Sequence, residues 1–193
     1  MKMLVVSLIV LIWASAVWAR PAQVFLIRHG EKPADEKENH LSPKGRQRAA
    51  ALVPYFLETP ELLKFGSPVA IYAQPCTEPK KHSARPIETV EALAKALKFE
   101  VRTPAVGDGA PKDAFPAMVK EILEDPKYDG KSVLICWSHG PLPLIAHKFG
   151  AEGVPEKWND DHFDRVWVLT FHKDGKVKCQ DVPQRLLFGD AAK

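Results

Sequence analysis

The sequence predicts an α/β fold, a three-layer sandwich in which a mostly parallel central sheet is flanked by helices, with an antiparallel hairpin near the C-terminus. Mainly apolar runs at residues 23–27 and 132–137 are typical of strands that are buried on both faces. Segments with helical periodicity alternate with these runs, as they do in sheets covered by helices. Asp174-Gly175, between two apolar segments near the C-terminus, is a hairpin signal.

The first nineteen residues have the character of a secretory signal peptide. Lys2 precedes a short apolar stretch, and small residues surround a cleavage point after Ala19, with a cut after Ala16 as the alternative. The stretch is shorter than the roughly 20 apolar residues that span a membrane. We therefore expect 1–19 to be a removed leader, with no stable membrane anchor afterwards, and the protein to be periplasmic or secreted. Residues 20–193 then form one domain, because roughly 170 residues suit a single core.

The charge of the chain is nearly balanced. It contains 27 Lys and Arg residues against 24 Asp and Glu residues, and the net charge falls from +3 to +2 when Lys2 leaves with the leader. No extended Lys/Arg tract with interleaved aromatic residues is present. A nucleic-acid partner is therefore not expected.

The first half of the domain is predicted to contain strands at 23–27 and 68–73 with a helix between them. Ser42 suits the N-cap of that helix and Pro43 its first turn. The helix should continue over 44–58, where apolar residues recur at helical spacing, and Pro54 should kink or divide it.

The second half continues the alternation of strands and helices. A helix follows Pro86, and a Gly- and Pro-rich loop covers 104–111. Further helices are predicted at 113–124 and 141–149, and further strands at 99–103, 132–137, 165–171 and 176–182.

Two predicted strands end on a histidine followed by a glycine. Arg28-His29-Gly30 follows the first strand and His139-Gly140 follows the strand at 132–137. Ligands of parallel α/β sheets bind outside the carboxyl ends of the strands, so the two corners could share a pocket. Arginine offers a rigid fork of donors, histidine can attack phosphorus and glycine admits an anion. The pattern therefore predicts a phosphate site.

Arg85 is a third candidate for this site. It stands just before Pro86, at a junction between a loop and a helix, where it could add charge-assisted hydrogen bonds to an anion. The alternative is a surface arginine that pairs with Glu88.

Four blocks of the sequence together resemble the histidine phosphatase superfamily, also called the phosphoglycerate-mutase-like superfamily. They match in order and spacing over nearly the whole mature chain: RHGE at 28–31, LSPKGRQRA at 41–49, SARPxxT at 83–89 and HG at 139–140. The size and the leader resemble the small exported bacterial members more than the larger cytosolic mutases. The segment 163–167 is similar to that of one subgroup.

The resemblance implies a role for each residue of the predicted site. His29 would be the nucleophile, and Arg28, Arg85 and His139 would surround the phosphoryl oxygens. Gly30 and Gly140 would keep the floor of the pocket free of side chains. The members place a carboxylate as proton donor between the second arginine and the second histidine, which makes Asp108 the first candidate and Asp113 the second.

Neither a metal nor another cofactor is expected. A zinc site on the two histidines needs a third ligand, and the neighbouring arginines would oppose a cation. The three cysteines are Cys76, Cys136 and Cys179. Cys136 lies in an apolar run and should be buried, so Cys76–Cys179 is the one disulfide to consider.

These observations predict a metal-independent phosphatase that acts on a small phosphorylated substrate through a phosphohistidine on His29. The alternative is a non-catalytic protein that binds a phosphorylated ligand in the same cationic pocket. A mutase is a third interpretation, which the small size and the leader disfavour. Specificity should come from the loops at 35–40, 77–83 and 104–111, whose sequences name neither a substrate nor an oligomeric state.

Overall fold

The computed structural model describes residues 20–35, 37–76, 83–105 and 114–191, so the predicted leader lies outside it. The helices are α1 (Pro43–Glu58), α2 (Arg85–Leu97), α3 (Phe115–Glu124) and α4 (Leu142–Lys148). The strands are β1 (Gln23–Arg28), β2 (Pro68–Ala73), β3 (Ser132–Trp137), β4 (Ala151–Glu152), β5 (Arg165–Phe171) and β6 (Val177–Pro183). Two short 3₁₀ helices at Leu63–Phe65 and Pro126–Tyr128 were not predicted.

The six strands described form one sheet in the order β2-β3-β1-β5-β6-β4. β1, β2 and β3 are parallel to one another, whereas β5 is antiparallel to both β1 and β6. β4 pairs with β6 in parallel, so β5 alone of the described strands opposes the common direction. The predicted fold class, including the C-terminal hairpin, is confirmed.

Helices cover both faces of the sheet. In β1, Val24 and Leu26 pack in a core cluster that includes residues of α3 and α4. Phe25 and Ile27 point to the other face, where the cluster includes residues of α1 and α2. All four side chains are fully buried, which is why this strand is apolar without alternation.

The start of α1 agrees with the sequence prediction, but the effect expected of its proline does not. Ser42 is the N-cap, and its Oγ accepts a hydrogen bond of 3.0 Å from the N–H of Gly45. Pro54 lies inside the helix, which nevertheless runs undivided from Pro43 to Glu58. Leu52 and Phe56, on either side of the proline, are fully buried, and this packing offsets the lost hydrogen bond.

The structure differs from the prediction at two short strands, of which one was predicted but does not form and the other was not predicted. The strand expected at 99–103 is reduced to an isolated bridge between Arg102 and Tyr72 of β2. Arg102 and Thr103 are exposed, so this stretch has little apolar area to hold it against the sheet edge. β4, which was not predicted, has only two residues, too few for a periodic signal.

The sheet order separates the two cysteines that were considered as a disulfide. Cys76 follows β2 at one edge, and Cys179 lies in β6, with β3, β1 and β5 between them. Neighbouring strands are about 4.8 Å apart, so this separation far exceeds the reach of a disulfide. The structure contains no bond between the two residues, and Cys136 is buried as predicted.

In the described parts of the chain, no helix has both the length and the apolar character that crossing a membrane requires.

Candidate active site

The carboxyl ends of β2, β3 and β1 lie side by side and position the loops that follow them. Arg28 is in register with Trp137, and the N–H of His29 donates to the carbonyl of Trp137 at 3.1 Å. On the other side of β3, Gln74 follows β2, and its Oε1 accepts from the N–H of Ser138 at 3.0 Å. The first residues after the three strands are therefore fixed to one another by one hydrogen bond between backbone groups and one from a backbone N–H to the Gln74 side chain.

A pocket of about 240 Å³ opens at these strand ends. It contains the four residues that the sequence predicted to lie together, namely Arg28, His29, Arg85 and His139. Five further residues line it: Lys32, Gln74, Ser83, Pro86 and Ser138. Strand order, rather than sequence proximity, brings the two histidine corners and the start of α2 to one site.

His29 has a neutral ring in which one nitrogen donates a hydrogen bond to the backbone. It is 5% exposed, and its Nδ1 lies 2.8 Å from the carbonyl oxygen of Gly30. A carbonyl only accepts hydrogen bonds, so Nδ1 carries the proton and Nε2 carries the lone pair. Burial is the main cause that lowers the pKa of His29 to about 3. The positive charge of Arg28 acts in the same direction, whereas the hydrogen bond to Gly30 opposes it. The ring is thus ready to act as a nucleophile through Nε2.

The peptide of Gly30 is itself fixed by Thr89 of α2. The N–H of Gly30 donates to Thr89 Oγ1 at 2.8 Å, and the Thr89 hydroxyl donates to the carbonyl of Arg85 at 2.6 Å. Thr89 is fully buried. This chain of hydrogen bonds connects the ring of His29 to the first turn of α2, which contains Arg85.

Two arginines bring donors to the pocket. The Nε atoms of Arg28 and Arg85 are buried and have no hydrogen-bond partner among the described residues. Burial lowers the pKa of Arg28 to about 10 and also lowers that of Arg85, although both stay cationic at neutral pH. Because two cationic guanidinium groups line the same pocket, the pocket suits an anionic ligand.

The structure does not contain the ion pair between Arg85 and Glu88 that the sequence offered as an alternative. Arg85 Nη2 donates to the carbonyl of Glu38 at 2.9 Å. The carboxylate of Glu88 instead accepts from the N–H of Leu41 at 2.8 Å and contacts the ring of His40.

The expected role of the two glycines is corrected. A Cβ on Gly30 would lie 3.0 Å from the carbonyl oxygen of Gly45 in α1, so Gly30 is needed for close helix packing. Gly140 is exposed, and a Cβ there would meet nothing within 4 Å. Neither glycine forms the floor of the pocket.

Glu31, the last residue of the first block, belongs to a buried ion-pair network behind the pocket. Arg48 Nη2 lies 2.7 Å from Glu31 Oε1 and 2.7 Å from Asp190 Oδ1. Burial disfavours the charge on Arg48, but its hydrogen bonds to the two carboxylates outweigh that effect and raise its pKa. The network fixes the C-terminal segment against the loop that follows β1.

Sequence reasoning missed the loop at 159–163, which contacts Arg28 and His139 of the pocket. Its Phe163 lies 3.8 Å from the guanidinium carbon of Arg28, and its Asp160 Oδ1 lies 3.1 Å from His139 Nε2. The resemblance had drawn attention to 163–167, but only the fold shows what this segment contacts. Gln74 was detectable, because it follows β2 as His29 follows β1.

Both candidates for the proton donor, Asp108 and Asp113, lie outside the described residues, as do most of the loops 77–83 and 104–111. Within residues 20–35, 37–76, 83–105 and 114–191, no group of three or more His, Cys, Asp or Glu side chains could hold a metal ion.

No family model matches the chain, and no curated protein does so. Among solved structures, it is similar to the protein histidine phosphatase SixA complexed with tungstate, at 19% identity and a TM-score of 0.47, over 84% of this chain and 97% of that one. The SixA structure from Agrobacterium tumefaciens is 14% identical with a TM-score of 0.49, over 78% and 92% of the two chains. A mycobacterial glucosyl-3-phosphoglycerate phosphatase in complex with inorganic phosphate is 13% identical with a TM-score of 0.47, over 83% and 95%.

At these identities, the activity of this chain has to be argued from its own residues.

Proposed function

We propose that this protein is a metal-independent phosphatase of the histidine phosphatase type. It would hydrolyse phosphomonoesters, or related phosphoryl compounds, through a phosphohistidine on His29. One observation carries the proposal: the hydrogen bond from His29 Nδ1–H to the Gly30 carbonyl leaves Nε2 unprotonated in a pocket that two arginines line.

In the first step, the lone pair of His29 Nε2 forms a bond to phosphorus while the bond to the leaving oxygen breaks. Arg28, Arg85 and His139 line the same pocket and would donate hydrogen bonds to the phosphoryl oxygens. Such preorganised donors stabilise the charge of the transition state, and the loss of one typically slows a reaction about 10²–10³-fold.

In the second step, water attacks the phosphohistidine and phosphate leaves. The bond between phosphorus and Nε2 breaks, and His29 returns to its neutral form with Nδ1 still bonded to Gly30. Since burial keeps the ring uncharged, the enzyme needs no group to deprotonate it before each turnover.

The second candidate function is a non-catalytic protein that binds a phosphorylated ligand. The same cationic pocket, lined by Arg28 and Arg85, would hold such a ligand. The two functions differ in the use of His29, which a binder does not need as a nucleophile.

The test is phosphate release from 4-nitrophenyl phosphate between mildly acidic and neutral pH. We expect the wild type to be active with and without a chelator, and His29→Ala to lose at least about 10²-fold, as expected for removal of a nucleophile. His147→Ala, at an exposed position in α4, is the matched control and should keep full activity.

Equal activity in wild type and His29→Ala would refute the phosphohistidine route. Stabilisation of the fold by phosphate, without release by the wild type, would instead favour the binder. Activity that the chelator abolishes would contradict metal independence.

We further propose that the protein is exported, with a small phosphorylated compound as its substrate. The basic start, the apolar stretch and the small residues around Ala19 support export. Detection of the mature N-terminus in a periplasmic or secreted fraction would test it.

A further inference from the structure

The loop at 159–163 is fixed against the pocket by Arg28. Arg28 Nη1 donates to three backbone carbonyls of this loop, those of Asn159, Asp160 and His162. The guanidinium also stacks on the ring of Phe163. A buried arginine that makes these contacts leaves the loop little freedom, so its side chains have defined positions at the mouth of the pocket.

Asp160 is the residue of this loop whose side chain contacts a residue of the pocket. Its Oδ1 lies 3.1 Å from His139 Nε2, while its side chain is 78% exposed. It lines a cleft of about 610 Å³ that shares Arg28, Lys32 and His139 with the phosphate pocket, which is the pocket of about 240 Å³ described above. The carboxyl group therefore lies in the cleft next to the pocket, beside His139.

The other two carboxylates of the cleft, among the residues described, are less suited to act on a substrate. Glu31 is bound by Arg48 through both of its oxygens. Asp161 lines the cleft but makes no hydrogen bond or ion pair with His139, whose partner is Asp160. Asp160 alone of the three touches a residue of the phosphate pocket.

We infer that Asp160 is the catalytic acid that protonates the leaving group, an assignment that rests on the proposed phosphatase function. As His29 Nε2 bonds to phosphorus, the bond from phosphorus to the leaving oxygen breaks, and that oxygen takes the proton of Asp160. The carboxylate so formed takes up a proton from solvent before the next turnover, which restores the acid, and the proton of the water that attacks the phosphohistidine also goes to solvent.

Asp160 shares its cleft with Arg28 and Lys32, whose positive charges would hold a phosphoryl anion beside the carboxyl. His139 Nε2 lies 3.1 Å from Asp160 Oδ1.

The test compares Asp160→Asn on two substrates that differ in the leaving group. An alkyl phosphate such as glycerol phosphate needs protonation of its leaving oxygen, whereas 4-nitrophenolate leaves without it. We expect Asp160→Asn to lose about 10²–10³-fold in kcat on the alkyl phosphate, within the usual range for general acids. On 4-nitrophenyl phosphate the loss should stay within a few-fold. Asp161→Asn, the neighbouring carboxylate of the cleft, should lose little on either.

Three results would overturn the assignment while leaving His29-dependent hydrolysis intact. The first is an equal loss on both substrates, which means that Asp160 only holds the loop or His139. The second is a gain in activity, which means that its carboxylate blocks the pocket. The third is the selective loss of alkyl phosphate turnover in Asp108→Asn or Asp113→Asn instead of in Asp160→Asn.

The folded state of each variant is checked by thermal melting, and Asp160→Ala must repeat the pattern of Asp160→Asn. If neither substrate is turned over in a His29-dependent way, the proposed function fails and the assignment of Asp160 fails with it.

Discussion

Replacing His29 by asparagine should make the protein less sensitive to mild acid. The imidazole is buried, and burial lowers its pKa from 6.5 to about 3. Below pH 6.5 the unfolded chain therefore binds a proton on this residue that the folded protein does not bind. Protons then favour unfolding, so stability falls as the pH decreases from 6.5 towards 3.

The size of the effect follows from the two pKa values. Between pH 7 and pH 5 the wild type should lose about 2 kcal/mol through this residue, and about 3 kcal/mol by pH 4. His29→Asn lacks the titrating ring, so its loss over the same interval should be smaller by those amounts. Other titrating groups are common to both proteins and cancel in the difference.

The assay is urea unfolding followed by tryptophan fluorescence at several pH values from neutral to mildly acidic. The quantity compared is the change in unfolding free energy with pH, because the substitution can also shift stability at neutral pH. His147→Asn, which alters an exposed histidine of α4, is the control and should follow the wild type. Parallel curves for wild type and His29→Asn would show that the ring is not held neutral by burial, and would refute the reasoning.

Three further substitutions test the residues that hold the site in place, and the free energy of unfolding is measured for each variant. Arg48→Leu removes the buried guanidinium that pairs with Glu31 and Asp190 and should cost about 3–5 kcal/mol. Lys44→Met, which removes an exposed partner of Glu31, should cost at most about 1 kcal/mol, and similar losses for the two variants would contradict the network. Gly45→Ala places a Cβ 2.5 Å from a backbone oxygen and should cost about 1–3 kcal/mol, and an unchanged urea midpoint would exclude that close contact. Thr89→Val removes the acceptor of the buried Gly30 N–H, so it should cost about 1–3 kcal/mol and lower kcat. Thr89→Ser keeps the hydroxyl and should leave stability and kcat near those of the wild type. Equal effects of the two substitutions would reject the hydrogen bond as the cause.

Elements with strong local signals were predicted correctly, whereas elements that depend on long-range contacts were not. The buried strands were predicted because their apolar runs are long, and the start of α1 because Ser42 and Pro43 are local signals. The stretch around Arg102 was predicted as a strand, yet it forms one bridge, because pairing depends on a partner strand and on apolar contacts. The continuity of α1 through Pro54 likewise depends on packing that a local rule does not contain.

The sequence by itself determined the chemistry that is available: an imidazole and a guanidinium at the end of a buried strand, a second histidine after another strand, and an arginine at the start of a helix. These are properties of residue type and local pattern. The tertiary structure alone decided that β1 lies beside β3, so that His29 and His139 line one pocket. It also decided that Asp160 lies beside His139, because a loop's contacts depend on the folded surface on which it packs rather than on its own sequence.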